Sequence, residues 1–289
     1  SSKIALGSAN FGLDYGLANN IGKLSTASLY QIINTAKMVG IDTIDTAQAY
    51  GDSELRLGEV VKSKFEIITK IGVRLNEYYY KNAIHHLVEE SLERLNSHQL
   101  YGLMIHHSEI LLGANSAKII SELNALKKEG IVQKIGVSIY SPDILDKILK
   151  IMDVDIVQAP FNIFDQRIYS SGWSDMLKRQ GVELHTRSVF LQGVLLMRQQ
   201  DLHGFFQTKW PNLFDAWYQF QKKLGLDSDE IALAFALERP WIDKVVVGVD
   251  SVEHLKRLSQ IENQMNQIHD PGLESNDLEL IDPSNWKFK

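Results

Sequence analysis

Asp45, Lys70 and His106 each stand at the end of a short run of apolar and β-branched residues, Thr43–Thr46, Glu66–Ile71 and Leu100–His106. A carboxylate, an ammonium and an imidazole held together can hold and move protons. Taken singly they say little. An aspartate at a strand end usually caps a turn, a lysine there is usually solvated, and a histidine is more often a hydrogen-bonded core residue. Their convergence favours chemistry. Alternate side chains of a strand face opposite ways, so Ile44 on one face leaves Thr43 and Asp45 on the other. By the same rule Ile68 shares a face with Lys70, opposite Ile67 and Thr69, while Leu103 and Ile105 leave Met104 and His106 facing inward. Charges inside a sheet are costly unless paired, and Asp45 with Lys70 offers the pairing.

The elements that must position these groups recur along the whole chain. Further strands are expected at Ile4–Leu6, Lys134–Ser138, Asp155–Gln158, Val182–Ser188 and Lys244–Val249. Between strands, apolar residues fall at helical spacing, as in Leu29, Ile32, Ile33 and Ala36, and in Ile84, Leu87, Val88, Leu92 and Leu95. Ser25, Ser141 before Pro142, and Ser251 are expected helix caps. Gly130 and Gly181 stand just past helical runs, where left-handed backbone is wanted. Eight such strand–helix units in 289 residues suit a single-domain (β/α)8 TIM barrel over residues 1–289, with functional groups at the C-terminal ends of its strands. The rival is an open doubly wound sheet, which needs a glycine-rich phosphate loop after its first strand. Gly7-Ser8-Ala9-Asn10-Phe11-Gly12 lacks that spacing. The stretch Met197–Asn212 reads as the longest irregular segment, expected to be functional; the alternative is a surface loop packing its own aromatics. Trp286 is the one large anchor of the tail.

Composition narrows the function. The chain is 44% hydrophobic, enough for a large core, and has no cysteine, which excludes disulfides, thiolate metal sites and a cysteine nucleophile. A net charge of −6 argues against a nucleic-acid partner. No apolar run is long enough to span a membrane, and Ser1–Leu6 lead straight into a strand without the pattern of a signal peptide, so a cytoplasmic protein is expected.

The segment Asp45-Thr46-Ala47-Gln48-Ala49-Tyr50-Gly51 resembles the Asp-Thr-Ala-x-x-Tyr-Gly motif of the aldo-keto reductases. The resemblance continues in family order through Ile67-Ile68-Thr69-Lys70, Leu103-Met104-Ile105-His106, Lys134–Ser138, Val157-Gln158 with Asn162, Arg187–Gly193 and Val247–Leu255, covering nearly the whole chain. It implies hydride transfer between a nicotinamide cofactor and a small carbonyl substrate, with Tyr50 as the acid and Lys70, Asp45 and His106 in support. The chemistry is consistent. A phenol titrates near 10, and lowering that by about two units takes roughly 2.7 kcal/mol. A lysine ammonium at about 4 Å supplies roughly 4 kcal/mol at an effective dielectric near 20. Asp45 would keep Lys70 charged and oriented, and His106 would hydrogen-bond the substrate oxygen. None of these residues can carry a hydride, so a cofactor must.

By the same resemblance Ser138 and Gln158 would hold the nicotinamide carboxamide and Arg187 would lie against the ring. Ser188, Leu191 and Gly193 would line the diphosphate, and the segment from Gly248 to His254 would take the adenosine end. Gly7, Ser8 and Asp45 complete the expected cofactor contacts. Phe11, Tyr15, His107 and the loop from Leu196 are placed to meet substrate. The segment Phe11–Gly16 resembles bacterial members whose substrates are often unassigned, some of them associated with carbohydrate metabolism, so a polar, sugar-like or small aldehyde is expected. Three positions depart from the family pattern. Ile139 stands where Asn is usual, Arg187 where an aromatic is frequent, and Asp250 near the site where the family commonly has a basic residue for the 2′-phosphate of NADP; Leu258, where Asn often contacts adenine, weakens the same region. NADP(H) is the expected cofactor by family habit, served by His254, Lys256 or Arg257, and NAD(H) is the alternative. Two other functions compete. An auxiliary nicotinamide-binding subunit with little turnover would have no need of a lysine-tuned proton donor. A barrel isomerase or lyase would need a metal site or carboxylate base, and no such cluster stands at ligand spacing.

Overall fold

The structure, a computed structural model, describes residues 1–13, 23–62, 64–72 and 82–287. Its strands are β1 (Ile4–Gly7), β2 (Thr43–Asp45), β3 (Glu66–Ile71), β4 (Leu100–Ile105), β5 (Val132–Ser138), β6 (Ile156–Pro160), β7 (Glu183–Arg187) and β8 (Lys244–Gly248). They pair in sequence order, all parallel, and close through β1 and β8 into the expected (β/α)8 barrel. Helices, among them Thr26–Met38, Ala83–Leu95, Ser116–Lys128 and Val252–Asn263, follow the strands and cover the sheet. Two apolar layers result. Ile44, Leu103, Ile105 and their neighbours pack outward against the helices in one large cluster. Ile68, Met104 and Ile156 form a separate small cluster inside the barrel. The face assignments made from strand alternation therefore hold.

Local chemistry fixes the ends of the elements. Ser25 accepts from the Ser28 amide, Ser141 from Asp143 and Ser251 from His254, as expected of caps. Gly130 and Gly181 take left-handed backbone, with φ of 76° and 71°.

The expectation for Met197–Asn212 is corrected. The stretch is not irregular: it holds short helices at Gln199–Asp201 and Gly204–Lys209, and Pro211 opens a long one that runs to Leu224. Phe206 is buried, with its ring 5.1 Å from Trp286 and 5.7 Å from Phe214. The segment therefore packs its aromatics against the tail, and Leu196, just before it, is the last residue of this loop to line the central cavity among the described residues. Periodicity misses the two short helices because Gln199–Asp201 has no apolar residue and Gly204–Lys209 is too short to show a repeat.

Candidate active site

The first site residues are set by strand ends and a glycine contact. Backbone pairing continues past the strands, from the Thr46 amide to the Ile68 carbonyl at 2.8 Å, from Gln48 to Lys70 at 3.1 Å and from His106 to Ile71 at 2.8 Å. These bonds hold Asp45, Lys70 and His106 at one level of the barrel. Tyr50 follows in a tight turn. Gly51 has φ 59°, and a side chain on Gly12 would strike the Tyr50 carbonyl at 1.9 Å. Only glycine fits both places, and their close approach seats Tyr50 over the barrel mouth.

Lys70 is 1% exposed and Asp45 3%. The Lys70 Nζ donates to Asp45 Oδ1 at 2.5 Å and to the Thr46 carbonyl at 3.0 Å, and lies 5.1 Å from the centre of the Tyr50 ring. Gln158 donates to the other oxygen of Asp45 at 2.8 Å. Burial alone would drive the Lys70 ammonium toward neutrality, but the Asp45 charge, then Tyr50 by charge and hydrogen bond, lift its pKa above the ordinary lysine value. Lys70 is therefore held as a cation beside the Tyr50 ring at ordinary pH.

His106 stands edge-on to Tyr50, with ring centres 5.9 Å apart and planes at 89°. Burial first, then the charges of Lys70, His107 and Arg187, push its pKa down to about 3. It is a neutral imidazole at ordinary pH, and its Nδ1 is buried without a hydrogen-bond partner. Beyond it the rings stack in series: His107 on His106 at 5.1 Å, Tyr140 on His107 at 6.3 Å, and the Arg187 guanidinium over Tyr140 at 4.7 Å. Arg187 also donates to the Ile139 carbonyl at 3.2 Å.

These groups border a cavity of about 400 Å³ running from Tyr50 and His106 to Asp250 and His254. Gly7, Ser8, Asp45, Ser138, Gln158 and Arg187 line it, as do Ser188, Gly193, Gly248 and His254. Lys70 lies beneath its floor. Two expectations are corrected. Leu191 does not line the cavity: its side chain is fully buried and its amide bonds the Ser188 carbonyl at 2.9 Å. Phe11 is likewise a core residue with no exposure. Tyr15 and the rest of the expected motif beyond Leu13, up to Gly16, lie outside the described residues. Asn162 shapes the site without lining it, donating to the Ser188 carbonyl at 3.0 Å while accepting from the Phe164 and Asp165 amides. Asn10 and Tyr140 line the cavity and were missed. Asn10 had a signal, a polar residue three positions past a strand end. Tyr140 had one too, an aromatic two positions past the end of β5.

The cavity suits a dinucleotide. After β7, Ser188, Leu191, Gln192 and Gly193 all take positive φ, at 65°, 47°, 53° and 92°. Such left-handed turns gather backbone N–H groups into anion-holding concavities, and a barrel binds phosphate at this place. At Gly248 a Cβ would meet only Asn10 Oδ1, 3.8 Å away, so the glycine keeps the channel open. Asn10 Oδ1 is buried and unpartnered, and so can accept from a bound group. Among the described residues no group of His, Cys, Asp and Glu could hold a metal ion. Also among them, no helix is long and apolar enough to cross a membrane.

Comparison with known proteins identifies a family and a shared fold. The model of the aldo/keto reductase family matches residues 3–269. The chain is 26% identical over 251 residues to D-arabinose 1-dehydrogenase of Saccharomyces cerevisiae, covering 79% of this chain and 74% of that enzyme. It is 27% identical over 273 residues to the NADH-specific methylglyoxal reductase of Escherichia coli, covering 81% and 82%. The solved holo form of an aldo-keto reductase from Bacillus halodurans superposes with a TM-score of 0.73 at 20% identity, over 92% of this chain and 88% of that one, which shows the shared fold.

Proposed function

The chain belongs to the aldo/keto reductase family, and from that premise we propose that it reduces a small aldehyde or ketone to the alcohol with a nicotinamide nucleotide as cosubstrate. The observation that carries the reading is the buried Lys70 ammonium, paired with Asp45 and set against the Tyr50 ring beneath the floor of the cavity.

The residues divide the work. The Tyr50 hydroxyl gives its proton to the substrate oxygen as negative charge builds there. Lys70, held charged by Asp45, stabilises the phenolate left behind. Gln158 holds the other carboxylate oxygen, so Asp45 cannot turn away from the lysine. Neutral His106 offers an N–H to the same substrate oxygen and fixes its approach. A bound nicotinamide supplies the hydride that the carbonyl carbon receives. Ser138 and Gln158 would hold its carboxamide. The Gln158 amide nitrogen is committed to Asp45, leaving its carbonyl oxygen to accept. Arg187, kept in place by Tyr140 and Ile139, would border the ring. Ser188 and Gly193 would run along the diphosphate, with Gly7, Ser8 and Gly248 against the rest of the nucleotide. Substrate meets a wall of His106 and Tyr140, flat faces with polar edges, with His107 stacked between their rings; such a wall suits a small oxygen-rich carbonyl. The relatives named for D-arabinose and methylglyoxal point the same way.

The test is multiple turnover with a panel of sugar and small aldehydes, in parallel with the Tyr50→Phe variant. Nucleotide-dependent reduction that disappears in the variant supports the reading. Nucleotide binding without turnover on any carbonyl would sink it.

A further inference from the structure

Resting on the nucleotide-binding reading above, we infer that Asp250 makes the far end of the cavity a site for the ribose diol, so that the chain binds NAD(H) in preference to the NADP(H) expected from family habit.

Tyr50 and His106 line the same cavity as Asp250 and His254, which follow β8. A dinucleotide with its reactive ring beside Tyr50 and its diphosphate at the turn after β7 would bring its adenosine ribose to the loop after β8. Asp250 Oδ1 accepts from the Ser251 hydroxyl at 3.1 Å and lies 3.1 Å from His254 Nδ1. The hydrogen bond with His254 outweighs partial burial and holds the carboxyl below the usual aspartate range, so Asp250 is an anion. Neither contact uses Oδ2. A vicinal diol offers two O–H donors that a carboxylate accepts, the role an acidic residue plays toward ribose in other dinucleotide sites. A 2′-phosphate brings negative charge against negative charge.

The cations that could offset this are occupied or displaced. Arg257 is taken by three carboxylates, Asp227 at 3.1 Å, Asp229 at 3.0 Å and Glu230 at 3.4 Å. Lys256 is exposed on the same helix and does not line the cavity. His254 turns its Nδ1 to Asp250. The positive end of the helix Val252–Asn263 would favour an anion, but the Asp250 carboxylate already stands beside it, and Ser251 caps the His254 amide at 3.1 Å.

The test is titration of the intact protein with NADH and with NADPH, read by calorimetry or nucleotide fluorescence. The wild type is expected to bind NADH about tenfold tighter, a difference of about 1.4 kcal/mol. Asp250→Ser should bring the two dissociation constants to within about threefold. Asp250→Asn keeps the shape, removes the charge and should do the same by tightening NADPH. Thermal shifts by saturating NADH report that each variant is folded and binding. Equal or tighter NADPH binding by the wild type overturns this inference and leaves the reductase reading intact. An unchanged ratio in both variants overturns it as well. Binding of neither nucleotide overturns both.

Discussion

The Lys70 ammonium is hydrogen-bonded to Asp45 and sits 5.1 Å from the centre of the Tyr50 ring, so one buried cation serves a carboxylate and a phenol at once. The arrangement is directional. Asp45 and Tyr50 both border the cavity, and the ammonium between them is buried. A charge placed this way costs most where it is unpaired and does most where negative charge is about to form.

Tyr50→Phe removes the transferable proton and keeps the ring against His106. Steady-state kinetics should show kcat for carbonyl reduction falling by about 10²–10⁴, the range for loss of a general acid. Nucleotide dissociation constants should be unchanged, because the ring that borders the cavity is still there. Turnover at the wild-type rate would mean that another group gives the proton.

Lys70→Met tests the pair from the other side. It leaves Asp45 buried without a counter-charge, which costs about 3–5 kcal/mol of stability. Replacing both, Asp45→Leu with Lys70→Met, should recover most of that loss while activity stays low. Chemical denaturation of the three proteins reads the difference. Linkage gives a second check. The folded pKa of Lys70 is raised, so its stabilisation is complete below about 10.5 and is lost as pH climbs above that value. A single variant as stable as the wild type would show that the pair contributes nothing.

His106 predicts the opposite pH behaviour. Its folded pKa is about 3, whereas an unfolded histidine titrates near 6.5. Between those values the unfolded chain binds a proton that the native site refuses, so stability falls as pH drops through this window, by up to about 1.4 kcal/mol per unit. His106→Gln should flatten that slope in urea titrations at pH 4–6 and lower kcat/KM for reduction. An unaltered slope would mean that His106 is not the group excluded from protonation.

The barrel and the gathering of Asp45, Lys70 and His106 at one end of it were legible for one reason: strand alternation and residue type are both local signals. Ile44 against Asp45, Ile67 against Lys70 and Ile105 against His106 assign faces without any knowledge of partners, and the interior cluster of Ile68, Met104 and Ile156 bears the assignment out. What was not legible depends on contacts between distant segments. Leu191 falls in a segment expected to line the cavity, yet the left-handed turn after β7 swings its side chain into the core. Arg257 was available to a phosphate on paper; Asp227, Asp229 and Glu230, some thirty residues earlier in the chain, claim it in space. The aromatics of the stretch after Met197 find their partner in Trp286, at the other end of the sequence. Periodicity within a window cannot report such pairings.

The end of the barrel away from the cavity supplies a prediction about stability alone. There Tyr101 donates to Glu183 Oε1 at 2.9 Å, Lys134 donates to Tyr101 at 2.7 Å and to the same Glu183 oxygen, and His185 meets Glu183 Oε2 at 3.2 Å. Burial would raise the Glu183 carboxyl, but the hydrogen bonds from His185, Lys134 and Tyr101 overcome it and hold the pKa at about 2; burial pushes the Tyr101 phenol up to about 12. A depressed carboxylate contributes stability that is complete above its unfolded value near 4.5 and is lost as pH falls toward 2. Glu183→Gln keeps the shape and removes the charge that three side chains address. Because the group reaches solvent on one side, we expect a loss of about 1–2 kcal/mol at neutral pH. A barrel of this size would then melt roughly 2–8 °C lower, at about 2–4 °C per kcal/mol. The acid sensitivity between pH 4.5 and 2 should weaken in the variant. Function sits at the C-terminal face of such barrels and stability at the other, so kcat and both nucleotide affinities should be unmoved. A variant with wild-type melting but a fallen kcat would connect this network to the cavity and refute its purely structural role.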